Sequence, residues 1–348
     1  MLLKSLCELN GTSGAEGLIR NFLREQIEPF VETVKVDKMG NLIATKNGDL
    51  SAPKVMITAH MDEVALMIVE ITNDGFLKFR PVGGIDARIL VSKPVQINES
   101  LVGVIGAKAI HLQKRLERQK ALPFDQLYID IGAKSKEDAS SKVKLGDYAY
   151  FMTKCEPFGE GLYKGKAFDD RVGCAILVEL LKKDYDIPLV AVFTVQEEVG
   201  LRGAKVAAYH LAPDFAIVIE GTVAADVSDR EEEGWVTELG KGPACSLMDR
   251  TTLYSPKLIQ WVTDLARAKG IPLQFRRTTS GGNDAGPIHV SKAGIPTIVL
   301  SVPCRYIHSF TSVISEKDYT ACLKLVDEII KELPRKLMIS SIDKEDKV

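Results

Sequence analysis

The stretch VAVFTVQEEVG, residues 190–200, decides how the rest of the chain is interpreted. An apolar run ends there in two adjacent carboxylates and a glycine, and such a run predicts a buried strand of a mostly parallel sheet. Ligands of open α/β sheets bind just beyond the carboxyl ends of strands, which is where Glu197 and Glu198 stand. Because neighbouring residues of an extended segment point in opposite directions, one carboxylate can bind a metal while the other transfers a proton.

The bulk properties are those of an ordinary globular protein of one large domain or two. The chain has 348 residues, of which 45% are hydrophobic and 26% are charged. Its net charge of -2 gives no reason to expect nucleic acid or an anionic membrane as a partner. No apolar run approaches the roughly 20 residues that span a bilayer. The six cysteines are scattered without a CxxC pair, so we expect reduced thiols in a cytoplasmic protein.

An α/β pattern occupies both ends of the chain. Three further apolar runs predict buried strands: KVMITA at 54–59, DFAIVIE at 214–220 and TIVLSV at 297–302. Ser13 and Glu16 have the spacing of a capping box, which predicts a helix starting there and ending near Pro29. Later helices are expected at about 172–183, 256–270 and 315–333. The predicted fold is therefore a mostly parallel central sheet flanked by helices.

The middle of the chain has a different sequence pattern. Short strand-like pieces and turn signals replace helical periodicity, and Asn73-Asp74-Gly75 predicts a hairpin. We expect a small β-barrel domain at 67–160, inserted into an α/β domain made of 1–66 and 161–348. Within the insert, HLQKRLERQK at 111–120 has no apolar stripe, which predicts an exposed, mobile loop.

Polar residues stand at or just beyond the ends of all four buried strands. If the strands share one sheet, their carboxyl ends bring two imidazoles and several carboxylates together, a mixture that suits zinc or cobalt. With a bridging carboxylate it also suits two metals about 3.5–4 Å apart. Each residue alone has a structural alternative, such as a helix cap or an exposed strand end. The set comprises His60, Asp62, Asp169, Asp170, Glu197, Glu198, Glu220 and His308.

Six motifs in order give the chain a resemblance to a known family. They are AHMDEV at 59–64, FDDR at 168–171, VQEEVG at 195–200, IEGT at 219–222, SGGNDAG at 280–286 and RYIHS at 305–309. Together they resemble the motifs of the TET aminopeptidases. This family contains glutamyl, leucyl, lysyl and deblocking enzymes, and some of its members carry an endoglucanase label. The resemblance covers nearly the whole chain, including the inserted β domain.

The resemblance implies an enzyme that removes N-terminal residues from peptides with two divalent metal ions per subunit. Asp169 is then the bridging ligand; His60 and Glu220 complete one site, and Glu198 and His308 complete the other. Glu197 is the general base that takes a proton from the metal-activated water, and Asp62 supports His60. Many relatives have Asp where this chain has Glu220. The resemblance also implies a homo-oligomer, a hollow tetrahedral dodecamer.

Three alternatives to an aminopeptidase remain open on the sequence. The paired carboxylates also suit a glycosidase, although glycosidases need no histidines. The other two are a non-catalytic assembly protein and a carboxypeptidase or deacylase. The preferred N-terminal residue is open as well: Arg250 and the segment 280–282 are candidates for the substrate pocket, with Arg250 alternatively at the surface or an interface.

Overall fold

The computed structural model describes residues 2–46, 48, 53–98, 100–115, 117–227 and 235–345. No helix in these ranges is both long enough and apolar enough to cross a membrane. The helices are α1 (Leu2–Glu8), α2 (Gly17–Ile27), α3 (Lys136–Ser140), α4 (Phe168–Leu181), α5 (Arg202–Leu211), α6 (Pro256–Ala268), α7 (Ala285–His289) and α8 (Glu316–Glu345).

The strands form one large sheet and one closed barrel. In chain order they are β1 (Thr33–Val36), β2 (Leu42–Lys46), β3 (Val55–His60), β4 (Ala65–Ile71), β5 (Leu77–Val82), β6 (Pro94–Ile97), β7 (Leu101–Ala107), β8 (Leu127–Asp130), β9 (Tyr148–Phe151), β10 (Glu156–Pro157), β11 (Leu162–Gly165), β12 (Leu189–Thr194), β13 (Phe215–Ala224), β14 (Ala244–Cys245), β15 (Gln274–Phe275), β16 (Thr297–Arg305) and β17 (Ser312–Ser315).

The large sheet has its four most apolar strands at its centre. These strands lie in the order β12-β3-β13-β16 and pair in parallel, whereas β2 and β17 extend the sheet on either side with antiparallel pairing. All residues of β3 and β12 are buried, because helices cover both faces of the parallel part. The α/β fold class is confirmed, and the parallel pairing is concentrated in the strands with continuous apolar runs.

The inserted barrel has its own apolar core. Its strands close in the order β4-β5-β8-β7-β6-β9, all antiparallel, around a second cluster of buried residues that includes Phe79 and Ile129. The predicted hairpin joins β4 to β5, and Gly75 takes a positive φ of 84° in its turn. The described side chains of the 111–120 segment are mostly exposed, on two short 3₁₀ turns. The exact domain boundaries stay a prediction.

The expected capping box is wrong. Helix α2 begins only at Gly17, and no side chain caps it. Ser13 instead donates a hydrogen bond of 2.6 Å to Asp62, and Glu16 accepts one from the backbone N–H of Gln196. Both side chains are buried, and the Ser13 hydroxyl has a tertiary partner in place of a local one, whereas Glu16 also keeps a local bond of 2.8 Å from the backbone N–H of Gly14. The short helices α1, α3, α5 and α7 were not predicted, because each is brief and packs by distant contacts.

Candidate active site

The carboxyl edge of the parallel strands gathers the predicted polar residues. His60 ends β3, Glu197 and Glu198 follow β12, and Glu220 lies within β13. His308 lies in the turn between β16 and β17. The strand β13 continues four residues past Glu220, because it pairs with β16 as far as Arg305. Asp169 approaches from the start of α4.

Asp169 lies between the two imidazoles. Its Oδ1 is 3.3 Å from Nε2 of His60, and its Oδ2 is 3.1 Å from Nε2 of His308. The His60 side of the carboxylate also has Glu220, whose Oε2 is 3.6 Å from Nε2 of His60. The His308 side has Glu198, whose Oε1 is 3.3 Å from Nε2 of His308. The five side chains thus form two adjacent clusters that share one carboxylate.

The outer nitrogen of each imidazole faces a backbone carbonyl. Nδ1 of His60 is 3.0 Å from the carbonyl of Asp62, and Nδ1 of His308 is 3.0 Å from the carbonyl of Gly84. A carbonyl only accepts, so each Nδ1 carries a proton and donates it. In the neutral imidazoles Nε2 is then unprotonated and presents its lone pair to Asp169. Two lone pairs at such a distance repel each other, unless a cation or an added proton lies between them.

Asp62 fixes the segment that carries Glu197 and Glu198. Its Oδ1 accepts from the backbone N–H of Glu197 at 3.1 Å, and its Oδ2 accepts from that of Glu198 at 3.2 Å and from the Ser13 hydroxyl. Asp62 is fully buried, and Oδ1 is 3.6 Å from Nδ1 of His60. One carboxylate therefore ties the His60 strand to the segment that follows β12.

The adjacent carboxylates Asp169 and Asp170 point to different partners. Asp170 accepts from the backbone N–H groups of His60 and Gly173 at 3.2 and 3.0 Å, which caps the first turn of α4. A grouping by distance alone places Asp170 with His60 and Glu220. We favour Asp169 as a ligand, because both Asp170 oxygens already accept backbone hydrogen bonds.

Left-handed backbone conformations occur beside the site. Gln196, next to Glu197, has φ 54°, His308 itself has φ 55°, and Ala167, two residues before Asp169, has φ 57°. Residues other than glycine adopt this region at a cost, and such conformations cluster at ligand-binding sites. Gln196 and Ala167 thus lie within two residues of a candidate site residue, and His308 is one itself.

Comparison with known proteins assigns the family. The profile of the M42 glutamyl aminopeptidase family matches residues 40–325. The chain belongs to this family. A putative aminopeptidase of Acetivibrio thermocellus is 38% identical over 331 residues, covering 94% of this chain and 97% of that protein. Two solved structures are each 35% identical and cover 95% of this chain: the TET aminopeptidase of Thaumarchaeota archaeon SCGC AB-539-E09 (95% of that chain, TM-score 0.92) and the Pyrococcus horikoshii TET1 peptidase (98%, TM-score 0.83).

This M42 peptidase is therefore a peptide hydrolase of a metal-dependent family, and its buried site fits cations. Oε1 of Glu220 is buried without any hydrogen-bond partner among the described residues, and the buried Oε1 of Glu198 has Nε2 of His308 at 3.3 Å as its nearest cationic neighbour. Burial raises the pKa of Glu220 well above its usual range; the charge of His60 opposes this, while repulsion from Asp170, Glu197 and Asp169 adds to it. An excess of buried carboxylates with unpaired oxygens requires positive charge for balance.

The general-base candidate of the peptidase has a similarly perturbed environment. Burial raises the pKa of Glu197 well above its usual range; His60 opposes this, while Asp284, Glu198 and Asp169 add to it. Burial alone would lower the pKa of His308, but hydrogen bonds to Asp169 and Glu198 raise it to about 11. A single carboxylate oxygen of Glu197 lies 4.0 Å from Nε2 of His60. Glu197 thus adjoins the clusters while remaining partly accessible.

Two residues near the site were missed by the sequence reasoning. Asp284 is buried and accepts a hydrogen bond of 2.6 Å from the Thr194 hydroxyl at the end of β12. The half-buried Arg276 donates to Thr222 of β13, two residues past Glu220. The only sequence signal was the motif SGGNDAG, which contains Asp284. The side chain of the pocket candidate Arg250 is exposed, and its backbone N–H donates to Gly281.

Proposed function

We propose that this peptidase removes N-terminal residues from peptides with two divalent ions, zinc or cobalt. His60 and Glu220 would hold one ion, Glu198 and His308 the other, and Asp169 would bridge both. The observation that carries the proposal is the placement of both oxygens of Asp169 within 3.3 Å of the Nε2 atoms of two imidazoles, each with its Nδ1 against a backbone carbonyl. Nitrogen and carboxylate ligands of this kind suit borderline divalent ions.

The metal pair would supply Lewis acidity, which favours ionisation of a water molecule near neutral pH and polarises a carbonyl. Glu197 would accept the proton of the attacking water on its carboxylate and then deliver it to the leaving amine. A base works best with a pKa near the working pH, and the buried surroundings of Glu197 raise its pKa in that direction. The backbone N–H of Glu197 donates to Asp62, which fixes the main chain from which this carboxylate extends.

Asp62 would act on the site by positioning two groups. It holds the backbone of the Glu197-Glu198 segment, and it stands beside the Nδ1–H of His60. Oriented in this way, His60 directs Nε2 towards Asp169 and Glu220. Carboxylates that support a ligand imidazole raise its basicity and fix its tautomer.

A glycosidase would use two of the carboxylates and neither imidazole. The convergence of His60 and His308 on Asp169 favours the peptidase reading, and a chelator separates the two. Chelation should abolish hydrolysis by a metallopeptidase and leave a glycosidase active. A non-catalytic assembly protein would hydrolyse nothing with or without added zinc. A deacylase or carboxypeptidase would accept an N-acetylated peptide, which an aminopeptidase should reject.

We also infer that the chain assembles with copies of itself into a tetrahedral dodecamer. The similar Pyrococcus horikoshii TET1 peptidase is described as assembling into a tetrahedron or a large octahedral shell. Light scattering on the purified protein tests this, since a stable monomer at working concentration would contradict it. A cytoplasmic location stays a prediction.

The replacement Glu197→Gln tests the base assignment. The amide is isosteric but cannot accept the proton, so turnover of a leucyl chromogenic substrate should fall by about 10²–10⁴-fold. Metal content should remain that of the wild-type protein, because Glu197 is not a proposed ligand. The matched control is Glu25→Gln on the exposed face of α2, which should keep full activity. Near-normal turnover by the Glu197 variant would reject the assignment.

A further inference from the structure

Arg276 lies on the Glu220 side of the site. Its Nε donates to the Thr222 hydroxyl at 3.1 Å, and its Nη2 donates to the carbonyl of Ser280 at 2.5 Å. Thr222 and Glu220 are two residues apart on β13, so their side chains emerge on the same face of the strand. The guanidinium is therefore anchored by neutral groups next to a proposed metal ligand.

The positive charge of Arg276 has no carboxylate within ion-pairing distance among the residues that the structure describes. The two groups at Nε and Nη2 are neutral, and so is the third partner, the Thr278 carbonyl at 3.4 Å from Nη1. A guanidinium has five N–H donors, which leaves two for another partner. Burial lowers the pKa of Arg276, and the charge of Asp249 opposes this most strongly. A half-buried cation of this kind favours a bound anion.

Asp249 is close to Arg276 but engaged elsewhere. Its Oδ1 accepts from Thr251 and from the backbone N–H of Thr252, and its Oδ2 accepts from Tyr254 and Asn283. Both oxygens are thus occupied in holding the 249–254 turn and the segment that contains Asn283. The carboxylate that would complete Arg276 has to come from another molecule.

The segment from Arg276 to Asp284 comes near residues of the proposed site at both of its ends. It begins at Arg276 near Glu220 and ends at Asp284, whose charge raises the pKa of Glu197. Three contacts fix it: Ser280 accepts from Arg276, Gly281 accepts from the Arg250 backbone, and Asp284 accepts from Thr194. The segment thus has one end beside Thr222, two residues past Glu220, and the other beside Thr194, three residues before Glu197, which makes it a candidate for contact with a substrate.

We propose that Arg276 binds a carboxylate of the substrate, which makes it a specificity-determining residue. This inference rests on the proposed peptidase function. The carboxylate can be the side chain of an acidic N-terminal residue or the C-terminal carboxylate of a dipeptide. In both cases the planar fork of the guanidinium matches the two oxygens.

The test compares substrates that differ in the carboxylate. Glutamyl- and aspartyl-p-nitroanilide carry it on the side chain, Leu-Leu carries it at the C-terminus, and leucyl-p-nitroanilide and Leu-Leu-amide have none. The readout is kcat/KM for each charged substrate divided by that for its uncharged counterpart. This ratio cancels any loss of folded protein or of metal.

We expect Arg276→Gln to lower the ratio for the preferred charged substrate by about 10–100-fold. Arg276→Lys, which keeps the charge but not the fork, should recover part of it. The matched control is Arg277→Gln: the neighbouring side chain is more exposed and pairs with Glu238. It should leave the ratio unchanged.

The outcomes separate this inference from the function it rests on. If the kcat/KM ratio falls only for glutamyl- and aspartyl-p-nitroanilide, Arg276 binds the side chain of an acidic N-terminal residue. If the ratio falls only for Leu-Leu, Arg276 binds the C-terminal carboxylate of a dipeptide. Unchanged ratios for both, with leucyl-p-nitroanilide still hydrolysed, would overturn the role of Arg276 and leave the peptidase function standing. If the wild-type protein with added zinc or cobalt hydrolysed none of the substrates, both would be rejected.

Discussion

The hydroxyl of Ser13 donates a 2.6 Å hydrogen bond to Oδ2 of Asp62, from an N-terminal loop 49 residues away in sequence. Asp62 in turn accepts the backbone N–H groups of Glu197 and Glu198. The loop before α2 therefore supports the segment that carries Glu197 and Glu198 through a single carboxylate. Both Ser13 and Asp62 are buried, so water cannot replace a lost partner easily.

Replacing Ser13 with Ala should weaken both stability and turnover. The change removes one donor from a buried carboxylate, which should lower the free energy of unfolding by about 1–3 kcal/mol. Because Asp62 positions Glu197, kcat should fall several-fold while the metal content stays constant. Denaturant titration and steady-state kinetics measure the two effects. Ser141→Ala, which removes an exposed hydroxyl that donates to Asp138, is the control. Equal behaviour of the two variants would contradict the supporting role.

Lys166→Met should destabilise the protein strongly. Nζ of Lys166 is 2.7 Å from both carboxylate oxygens of Glu63, and both side chains are almost fully buried. Removing the cation leaves the Glu63 carboxylate with the backbone N–H of Gly11 at 3.1 Å and the longer contact to Arg171 at 3.5 Å, which should cost about 3–5 kcal/mol. Thermal unfolding of the variant measures this loss.

The control for that variant lies two residues away. Lys164 pairs with Glu156 at 2.8 Å on the surface, with about a third of the lysine side chain exposed (34%). Exposed ion pairs contribute about 0–1 kcal/mol, so Lys164→Met should change stability little. If both methionine variants unfolded at the same temperature, burial would not be the cause.

Asp284 should make stability depend on pH. Burial raises its pKa to about 6, from a usual value near 4. The folded protein then holds this proton more tightly than the unfolded chain does. The contribution of Asp284 to the free energy of unfolding is therefore fully present below about pH 4. That contribution is lost as pH rises to about 6. Between these limits the free energy of unfolding of the Asp284→Asn variant should fall less with rising pH than that of the wild-type protein, by up to about 3 kcal/mol.

This dependence is best measured by urea titration of chelator-treated protein, so that bound cations add no charge of their own. The amide can still accept the hydrogen bond from Thr194, which keeps the local contact. Asp264→Asn, on an exposed part of α6, is the control. Identical pH profiles for wild-type protein and the Asp284 variant would contradict the raised pKa.

The strand ends were predictable, and the contacts that support them were not. Continuous apolar runs mark central strands, and His60, Glu197 and Glu220 adjoin such runs, so local sequence indicated their shared edge. Ser13 and Glu16 matched a capping pattern, but the Ser13 hydroxyl donates to the distant Asp62 and Glu16 divides its bonds between Gly14 and Gln196. Arg276 follows a short strand without any local signal, and its place beside Glu220 depends on the path of a whole loop. Long-range contacts of this kind leave no periodic trace in the sequence.

The central claim is that Asp169 bridges two metal ions between His60 and His308. The most direct measurement is metal content per chain, by plasma mass spectrometry after loading with zinc and removal of excess. We expect two ions per chain for the wild-type protein and at most one for His308→Ala. The control His111→Ala, whose side chain is exposed in the inserted barrel, should keep two. Two ions retained by His308→Ala, or none bound by the wild-type protein, would contradict it.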